Sequence, residues 1–197
     1  MIIDHEKKYV FVAIPKTGSI SVQFSLGHTS IPEPHLYHQK LLPQINLENA
    51  QDYFKFAFVR NPWARLLSLY HDFTKNRIDK YSAQVTHDKP LLSEFKDFED
   101  LCINLHNSNW RYDLFFWDQT EFLGVNGQVM VDYVGKFENF AEEFKHICKQ
   151  LDINVELQKM NVGKYDNTKY REYYSTEATR AVARLYHRDI ENFGYEF

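Results

Sequence analysis

Residues 9–24, YVFVAIPKTGSISVQF, form the stretch that decides the fold. An apolar run of strand length is followed by the tight turn Pro-Lys-Thr-Gly-Ser and then by a helical pattern. The first N–H groups of such a helix have no intrahelical partner, and they lie at the positive end of its dipole beside the charge of Lys16. Donors and positive charge that meet in this way suit a phosphate. The stretch therefore predicts a strand–loop–helix unit that binds a phosphate-bearing ligand.

The order of residues in this loop differs from that of the loop that binds nucleoside triphosphates. In the pattern GxxxxGK[ST] the lysine follows the glycines, whereas Lys16 precedes Gly18 here. A nucleotide kinase also needs a magnesium-binding hydroxyl directly after the loop lysine and a separate acidic partner, and Lys16-Thr17 meets only part of this requirement. We therefore expect a phosphate-bearing ligand other than ATP, with a nucleotide kinase as the alternative class.

A second strand-to-helix junction follows further along the chain. YFKFAFV, residues 53–59, is an apolar, β-rich run, and Asn61 and Pro62 suit the N-cap and the first position of a new helix. Arg60 is therefore expected at the carboxyl end of the strand, with Ser68 on the helix away from its apolar stripe. Ligands of open α/β sheets bind at this edge. We therefore expect a nucleotide with two separated anionic groups, one at each junction.

Strand and helix patterns alternate along the chain, which favours an α/β fold with a parallel sheet. The patterns predict strands at residues 2–3, 9–14, 53–59 and 128–134 and helices at residues 19–26, 35–45, 93–105, 139–151 and 176–193. The polar stretch 76–90 has little periodicity, so we expect a mobile loop on the substrate side. With 197 residues, the chain suits one domain that spans residues 1–197.

Composition restricts the possible partners and location. The formal net charge of −4 argues against a nucleic-acid-binding protein, because such domains carry a basic surface. Cys102 and Cys148 are too few for a disulfide framework and lack metal-ligand spacing, so we expect two buried thiols in a reducing compartment. The sequence contains no run of 18 apolar residues, and it enters a strand almost at once. We expect a soluble, cytoplasmic protein without signal peptide, membrane anchor or membrane partner, and the oligomeric state stays open.

The two junction motifs together resemble those of a known enzyme family. PKTGS-x-S at residues 15–21 and R-x-P-x-x-R-x-x-S-x-Y at residues 60–70 resemble the sulfotransferases that use 3′-phosphoadenosine 5′-phosphosulfate (PAPS), specifically their carbohydrate sulfotransferase branch. Further matches at Gln119, at residues 132–140 and at residues 189–195 extend the resemblance over nearly the whole chain. It implies a three-layer, P-loop-like α/β fold with a central, mostly parallel sheet flanked by helices. It also implies transfer of a sulfuryl group from PAPS to a carbohydrate hydroxyl.

The resemblance also implies which residues hold PAPS. The 5′-phosphosulfate would lie against the first loop, formed by Lys16, Thr17, Gly18, Ser19, Ile20 and Ser21. Ile20 stands where the family more often has threonine, so a backbone donor remains there without a hydroxyl. Arg60 and Ser68 would hold the 3′-phosphate. A loop within residues 161–174 would close over the adenosine through Lys164, Tyr165 and Arg171, and a solvated connection is the alternative.

Sulfuryl transfer needs a base for the acceptor hydroxyl and positive charge for the leaving phosphate. Lys16 suits the second task. The segment PHLYH at residues 34–38 offers His35 as the base and His38 as the second choice, because neutral imidazole accepts a proton near pH 7. The alternative is a pair of surface histidines. No third ligand stands at a recognisable spacing from this pair, so we expect no metal.

The acceptor is expected near residues 107–119, NSNWRYDLFFWDQ, where aromatic rings adjoin hydrogen-bonding side chains. Trp110, Arg111 and Gln119 are the candidates for contact with a sugar. The alternative is core packing, because a tryptophan is more often buried than a ligand platform. Two other readings stay open for the function: sulfation of a small hydroxylated metabolite, and a non-catalytic nucleotide-binding module with the same pocket, to which Ile20 points.

Overall fold

The structure is a computed structural model that describes residues 1–29, 47, 49–74, 92–160 and 166–197. Within it the chain divides into two compact units. The sheet unit is formed by Met1–Arg60 with Asp118–Gly163, and the helical unit by Asn61–Trp117 with Lys164–Phe197. The expectation of one domain over residues 1–197 stays a prediction.

The regular elements follow the expected alternation. The strands are β1 (Ile2–Asp4), β2 (Tyr9–Val12), β3 (Phe54–Val59), β4 (Gly124–Val125), β5 (Gln128–Val129) and β6 (Tyr133–Lys136). The α-helices of the described residues are α1 (Ser19–Ser25), α2 (Pro62–Thr74), α3 (Phe98–Asn104), α4 (Phe140–Gln150), α5 (Thr176–Leu185) and α6 (His187–Phe193). Short 3-10 helices lie at Leu105–Asn107, Asn109–Tyr112, Leu114–Phe116, Gln119–Phe122, Phe137–Asn139 and Asn167–Tyr173.

The main sheet of the described residues has the strand order β1-β2-β3-β6. β1 runs antiparallel to β2, whereas β2–β3 and β3–β6 are parallel pairs. Val12 lies opposite Ala57, and Val59 lies opposite Lys136, so the parallel strands end at one common edge. The predicted mixed α/β fold with a central, mostly parallel sheet is confirmed.

Both faces of this sheet are buried, as is usual for parallel strands. One face contributes to a cluster that also includes side chains of α1 and α4: Ile2, Tyr9, Phe11, Ala13, Val22, Phe56, Phe58, Phe144, Ile147 and Cys148. The alternating residues Val10, Val12, Ala57 and Val59 point to the opposite face and are also fully buried. The β-rich runs seen in the sequence are therefore the central layer of the fold.

The helical unit has its own apolar core, built mainly from α2, α3 and α5. Phe73 of α2 packs its ring against Trp110, Phe115 and Phe116 at centroid distances of 5.6, 5.6 and 5.4 Å. Cys102 in this unit and Cys148 in the sheet unit are both free and buried, as the sequence predicted. Burial raises the pKa of the Cys102 thiol, so this group stays protonated at neutral pH.

Two predicted helices have different bounds in the structure. The helix predicted at 93–105 begins only at Phe98, because Asp97 caps it by accepting a hydrogen bond from the N–H of Asp100 at 2.9 Å. The helix predicted at 176–193 is divided at Tyr186, whose backbone leaves the helical region. The Tyr186 hydroxyl donates to the carbonyl of Phe116 at 3.0 Å, so the residue at the break is held by a tertiary hydrogen bond.

The strand predicted at 128–134 is wrong as a single element. Asn126 and Gly127 both have positive φ, 54° and 79°, and they turn β5 back onto β4 as a hairpin. β6 then begins after Asp132, whose carboxylate accepts from the N–H of Lys55 at 2.7 Å. The Asn-Gly pair is a local sequence signal for a hairpin, and it lies directly before the apolar run that was predicted as one strand.

Candidate functional site

The loop between β2 and α1 is a tight turn between a strand and a helix, as the sequence predicted. Lys16 and Gly18 both lie in the left-handed region, with φ of 68° and 80°. A Cβ at Gly18 would stand 2.5 Å from Cζ of Phe140 and 3.0 Å from Cε2 of Phe137. Glycine is therefore required here both by the backbone conformation and by the close approach of two rings.

The hydroxyl groups of Thr17 and Ser21 form hydrogen bonds to backbone groups of the protein. Thr17 is fully buried, and its hydroxyl donates to the carbonyl of Ile14 at 3.0 Å. The hydroxyl of Ser21 accepts from the N–H of Met160 at 3.1 Å and donates to the same residue's carbonyl at 3.4 Å. A ligand in the loop would therefore meet Thr17 and Ser21 mainly through their backbone N–H groups.

The start of α1 fits an anionic group. Its N-cap, Gly18, has no side chain that could accept from the first-turn N–H groups. Ser19 is buried in that first turn, and Ile20 packs against the core of the sheet unit. Together with the Lys16 ammonium, this donor set is of the kind that binds a phosphate or a phosphosulfate.

Arg60 lies directly after β3 and meets the loop. Its Nη1 donates to the carbonyl of Lys16 at 3.2 Å, and its Cζ lies 4.8 Å from the centroid of the Phe137 ring. Only 3% of Arg60 is exposed. The structure therefore brings the two predicted anion motifs into contact at the carboxyl ends of neighbouring parallel strands.

Gln119 lies behind this arginine. Its Oε1 accepts from the N–H of Arg60 at 2.8 Å, and its Nε2 donates to the carbonyl of Arg60 at 2.8 Å. The side chain is fully buried. This geometry favours a role in holding Arg60 over the acceptor contact that the sequence suggested, and no local sequence signal pointed to it.

Glycine at position 135 is required by close packing and not by its backbone conformation. Gly135 lies within β6 opposite Phe58 and has no positive φ. A Cβ at this position would lie 2.8 Å from the Phe58 ring. Phe140 packs edge-on against the same ring, with centroids 4.8 Å apart.

In the helical unit, Arg65 and Ser68 are both buried on α2. The Arg65 guanidinium donates to the carbonyls of Phe115 and Trp117 at 2.8 and 3.0 Å. Arg65 therefore ties α2 to the 3-10 segment of the same unit. The phosphate contact of Ser68 stays a prediction.

The expected acceptor residues of the helical unit pack within it. Trp110 makes edge contacts with Phe73 and Phe116. Arg111 donates from Nη1 to the carbonyl of Phe116 at 2.9 Å, and its Cζ lies 5.7 Å from the centroid of the Tyr186 ring. These contacts favour core packing for both residues over acceptor binding.

Arg171, a candidate for adenosine contact, is exposed in the 3-10 helix Asn167–Tyr173. Its Cζ lies 4.7 Å from the centroid of the Tyr170 ring and 5.8 Å from that of Phe197. Stacking on aromatic faces holds the guanidinium at the surface of the helical unit.

Several predicted residues lie outside the described residues. They are the proposed bases His35 and His38, the nucleotide-loop candidates Lys164 and Tyr165, the helix at 35–45 and the loop at 76–90. Within the described part of the chain, no group of three or more His, Cys, Asp or Glu side chains could hold a metal ion. None of the helices in that part has the length and hydropathy needed to span a bilayer.

Comparison with known proteins identifies the family. The family model "Sulfotransferase family" matches residues 1–196. Carbohydrate sulfotransferase 10 of Xenopus laevis is 25% identical over 98% of this chain and 66% of its own length. The protein of the same name from Homo sapiens is 24% identical over 96% of this chain and 65% of its own length. An uncharacterized protein of Archaeoglobus fulgidus is 29% identical over 58% of this chain.

The chain thus spans just under two thirds of the length of the two vertebrate relatives. No solved structure matches it significantly. The family match covers both junction motifs and nearly every residue between and beyond them. The chain therefore belongs to the sulfotransferase family.

Proposed function

We propose that this protein transfers the sulfuryl group of PAPS to a hydroxyl group of a carbohydrate. The observation that carries the proposal is the hydrogen bond from Arg60 Nη1 to the carbonyl of Lys16, at 3.2 Å. It joins the two anion motifs, so one nucleotide with a phosphate at each end can reach both. Membership of the sulfotransferase family and similarity to relatives named as carbohydrate sulfotransferases support the donor and the acceptor class.

The residues of the loop suit the 5′-end of the donor. Lys16 and the backbone N–H groups of residues 17–21 would hold the phosphosulfate, with Gly18 as the point where the backbone comes closest. Arg60 would hold the 3′-phosphate, because a buried guanidinium is a strong ligand for a phosphate in a low dielectric. Ser68, Lys164, Tyr165 and Arg171 stay candidates for further contacts on the ground of the family resemblance.

In the proposed reaction, a bond forms between the acceptor oxygen and sulfur while the bond from sulfur to the 5′-phosphate oxygen breaks. The proton of the acceptor hydroxyl passes to the imidazole of His35, with His38 as the second candidate. Lys16 stabilises the negative charge that develops on the leaving phosphate. A positioned base contributes about 10²–10⁴-fold to such a rate, so its loss is easy to measure.

Binding tests the donor. We expect 3′-phosphoadenosine 5′-phosphate (PAP) to raise the melting temperature, because a ligand that binds only the folded state stabilises it. ATP with magnesium should not do so. The opposite result would favour the nucleotide kinase. We expect Arg60→Ala to weaken the stabilisation by PAP and His35→Ala to leave it intact.

Turnover tests the reaction and the acceptor. Labelled sulfate from PAPS is offered to a panel of oligosaccharides and small alcohols, and we expect transfer to an oligosaccharide. Transfer only to a small alcohol would favour the metabolite reading. Binding of PAP with no transfer to any acceptor would favour the non-catalytic module. Full turnover by His35→Ala would show that another group takes the proton.

A further inference from the structure

The Gln119 side chain binds Arg60 as another backbone strand would. Its amide exchanges two hydrogen bonds with one residue, both of 2.8 Å: Oε1 accepts from the N–H of Arg60, and Nε2 donates to its carbonyl. The N–H of Arg60 can only donate and its carbonyl can only accept, so the orientation of the Gln119 amide is fixed by chemistry. An antiparallel strand would pair with Arg60 by the same two bonds.

This pairing matters because of where β3 ends. Val59 is the last residue of β3, and it lies opposite Lys136 of β6. Arg60 follows outside the ladder. Gln119, which lies 59 positions further along the chain, makes the two hydrogen bonds to the N–H and the carbonyl of Arg60. The two bonds hold the backbone of Arg60 and thus the direction of its Cα–Cβ bond, from which the side chain that carries the guanidinium begins.

At the far end of the Arg60 side chain, the guanidinium contacts a backbone carbonyl and an aromatic ring. It donates to the carbonyl of Lys16 and lies over the Phe137 ring. Phe137 also approaches Gly18, where an added Cβ would stand 3.0 Å from its Cε2. Arg60 is therefore held at both ends, and Gln119 is the part of this support that acts on the main chain.

We propose that Gln119 is a positioning residue that makes the site selective for a nucleotide with a 3′-phosphate, by fixing the backbone from which Arg60 projects. This inference rests on the proposed function, in which Arg60 binds the 3′-phosphate. An arginine–phosphate pair depends on the direction of the guanidinium, because its two parallel hydrogen bonds need one plane. Loss of Gln119 therefore weakens recognition of the 3′-phosphate more than binding of the rest of the nucleotide.

The test compares two nucleotides that differ only in the 3′-phosphate. Calorimetric titration gives the dissociation constants of PAP and of adenosine 5′-phosphate for the full chain and for Gln119→Met, which keeps the side-chain length but loses both hydrogen bonds. We expect the preference for PAP to fall by about tenfold or more, because the charged hydrogen bonds between the Arg60 guanidinium and the 3′-phosphate lose their geometry. The affinity for adenosine 5′-phosphate should change by less than about threefold.

Two further variants make the result specific. Gln119→Leu also removes both hydrogen bonds, with a different apolar side chain, so we expect the same loss of preference. It carries the test if Gln119→Met fails to fold. Tyr186→Phe removes a buried hydrogen bond to Phe116 elsewhere in the protein and should leave the preference unchanged.

A double-mutant cycle with Arg60→Ala separates positioning from general stability. If Gln119 acts through Arg60, the two substitutions affect PAP binding less in combination than the sum of their single effects. If the wild-type protein prefers PAP and both Gln119 variants keep that preference, the inference about Gln119 is wrong and the proposed function still stands. A wild-type protein that shows no preference for PAP would overturn the proposed function and the inference with it.

Discussion

Gly18→Ala is the substitution for which the structure gives the sharpest expectation. It adds one methyl group to a residue with φ of 80°, at a place where that methyl would stand 2.5 Å from Cζ of Phe140. The left-handed backbone costs a non-glycine residue about 1–2 kcal/mol. Displacing the Phe140 ring in a packed site costs about 1–3 kcal/mol more. We therefore expect the free energy of unfolding to fall by about 2–5 kcal/mol.

The chain offers matched controls for the two parts of this cost. Gly27 has a similar φ of 87° but nothing within 4 Å of an added Cβ, so Gly27→Ala measures the backbone term without the clash. Gly135 has no positive φ, but its Cβ would meet the Phe58 ring at 2.8 Å, so Gly135→Ala measures a clash without the backbone term. We expect Gly18→Ala to be more destabilising than Gly27→Ala by about 1 kcal/mol or more.

Urea unfolding followed by circular dichroism measures these differences, and thermal unfolding checks them. In a chain of this size 1 kcal/mol corresponds to about 2–4 °C, so Gly18→Ala should lower the melting temperature by about 4–20 °C. Phe140→Leu removes the Cζ atom that the methyl meets but leaves the Phe137 ring, so in this background the excess cost of Gly18→Ala over Gly27→Ala should become smaller. Equal losses for Gly18→Ala and Gly27→Ala in the wild-type background would refute the packing argument.

Two further predictions concern other parts of the molecule. Arg65→Met should lower the free energy of unfolding by about 2–4 kcal/mol, because the carbonyls of Phe115 and Trp117 lose a charged donor; a loss below about 0.5 kcal/mol by urea unfolding would contradict this. The N–H of Lys96 and then the Asn104 amide hold the pKa of Asp100 below its ordinary value. Because its pKa is lower in the folded state, the Asp100 carboxylate stabilises the folded protein at pH values above the unfolded-state pKa. This stabilisation is lost as the pH falls through the folded-state pKa. The excess melting temperature of wild type over Asp100→Ala should therefore shrink between about pH 5 and about pH 2, and an excess that is constant over this range would refute the assignment.

The loop at Lys16 and the junction at Arg60 were both readable from the sequence because their signals are local. A strand-length apolar run, a glycine in a tight turn and an Asn-Pro start of a helix each lie within a few residues. The same locality predicted that both motifs belong to one edge of a parallel sheet. The errors at 93–105 and 176–193 arose at a side-chain cap and at a residue held by a tertiary hydrogen bond, and apolar periodicity records neither feature.

The sequence by itself determined the class of fold, the family and the two loop motifs proposed to bind an anionic ligand, because backbone preferences and apolar spacing act over short stretches. Only the tertiary structure decided how the site is held. Arg60 meets Lys16 across 44 positions and Gln119 across 59, and Ser21 meets Met160 across 139. Such bonds depend on which groups the packed sheet brings within about 3 Å of each other, and no local pattern encodes that distance.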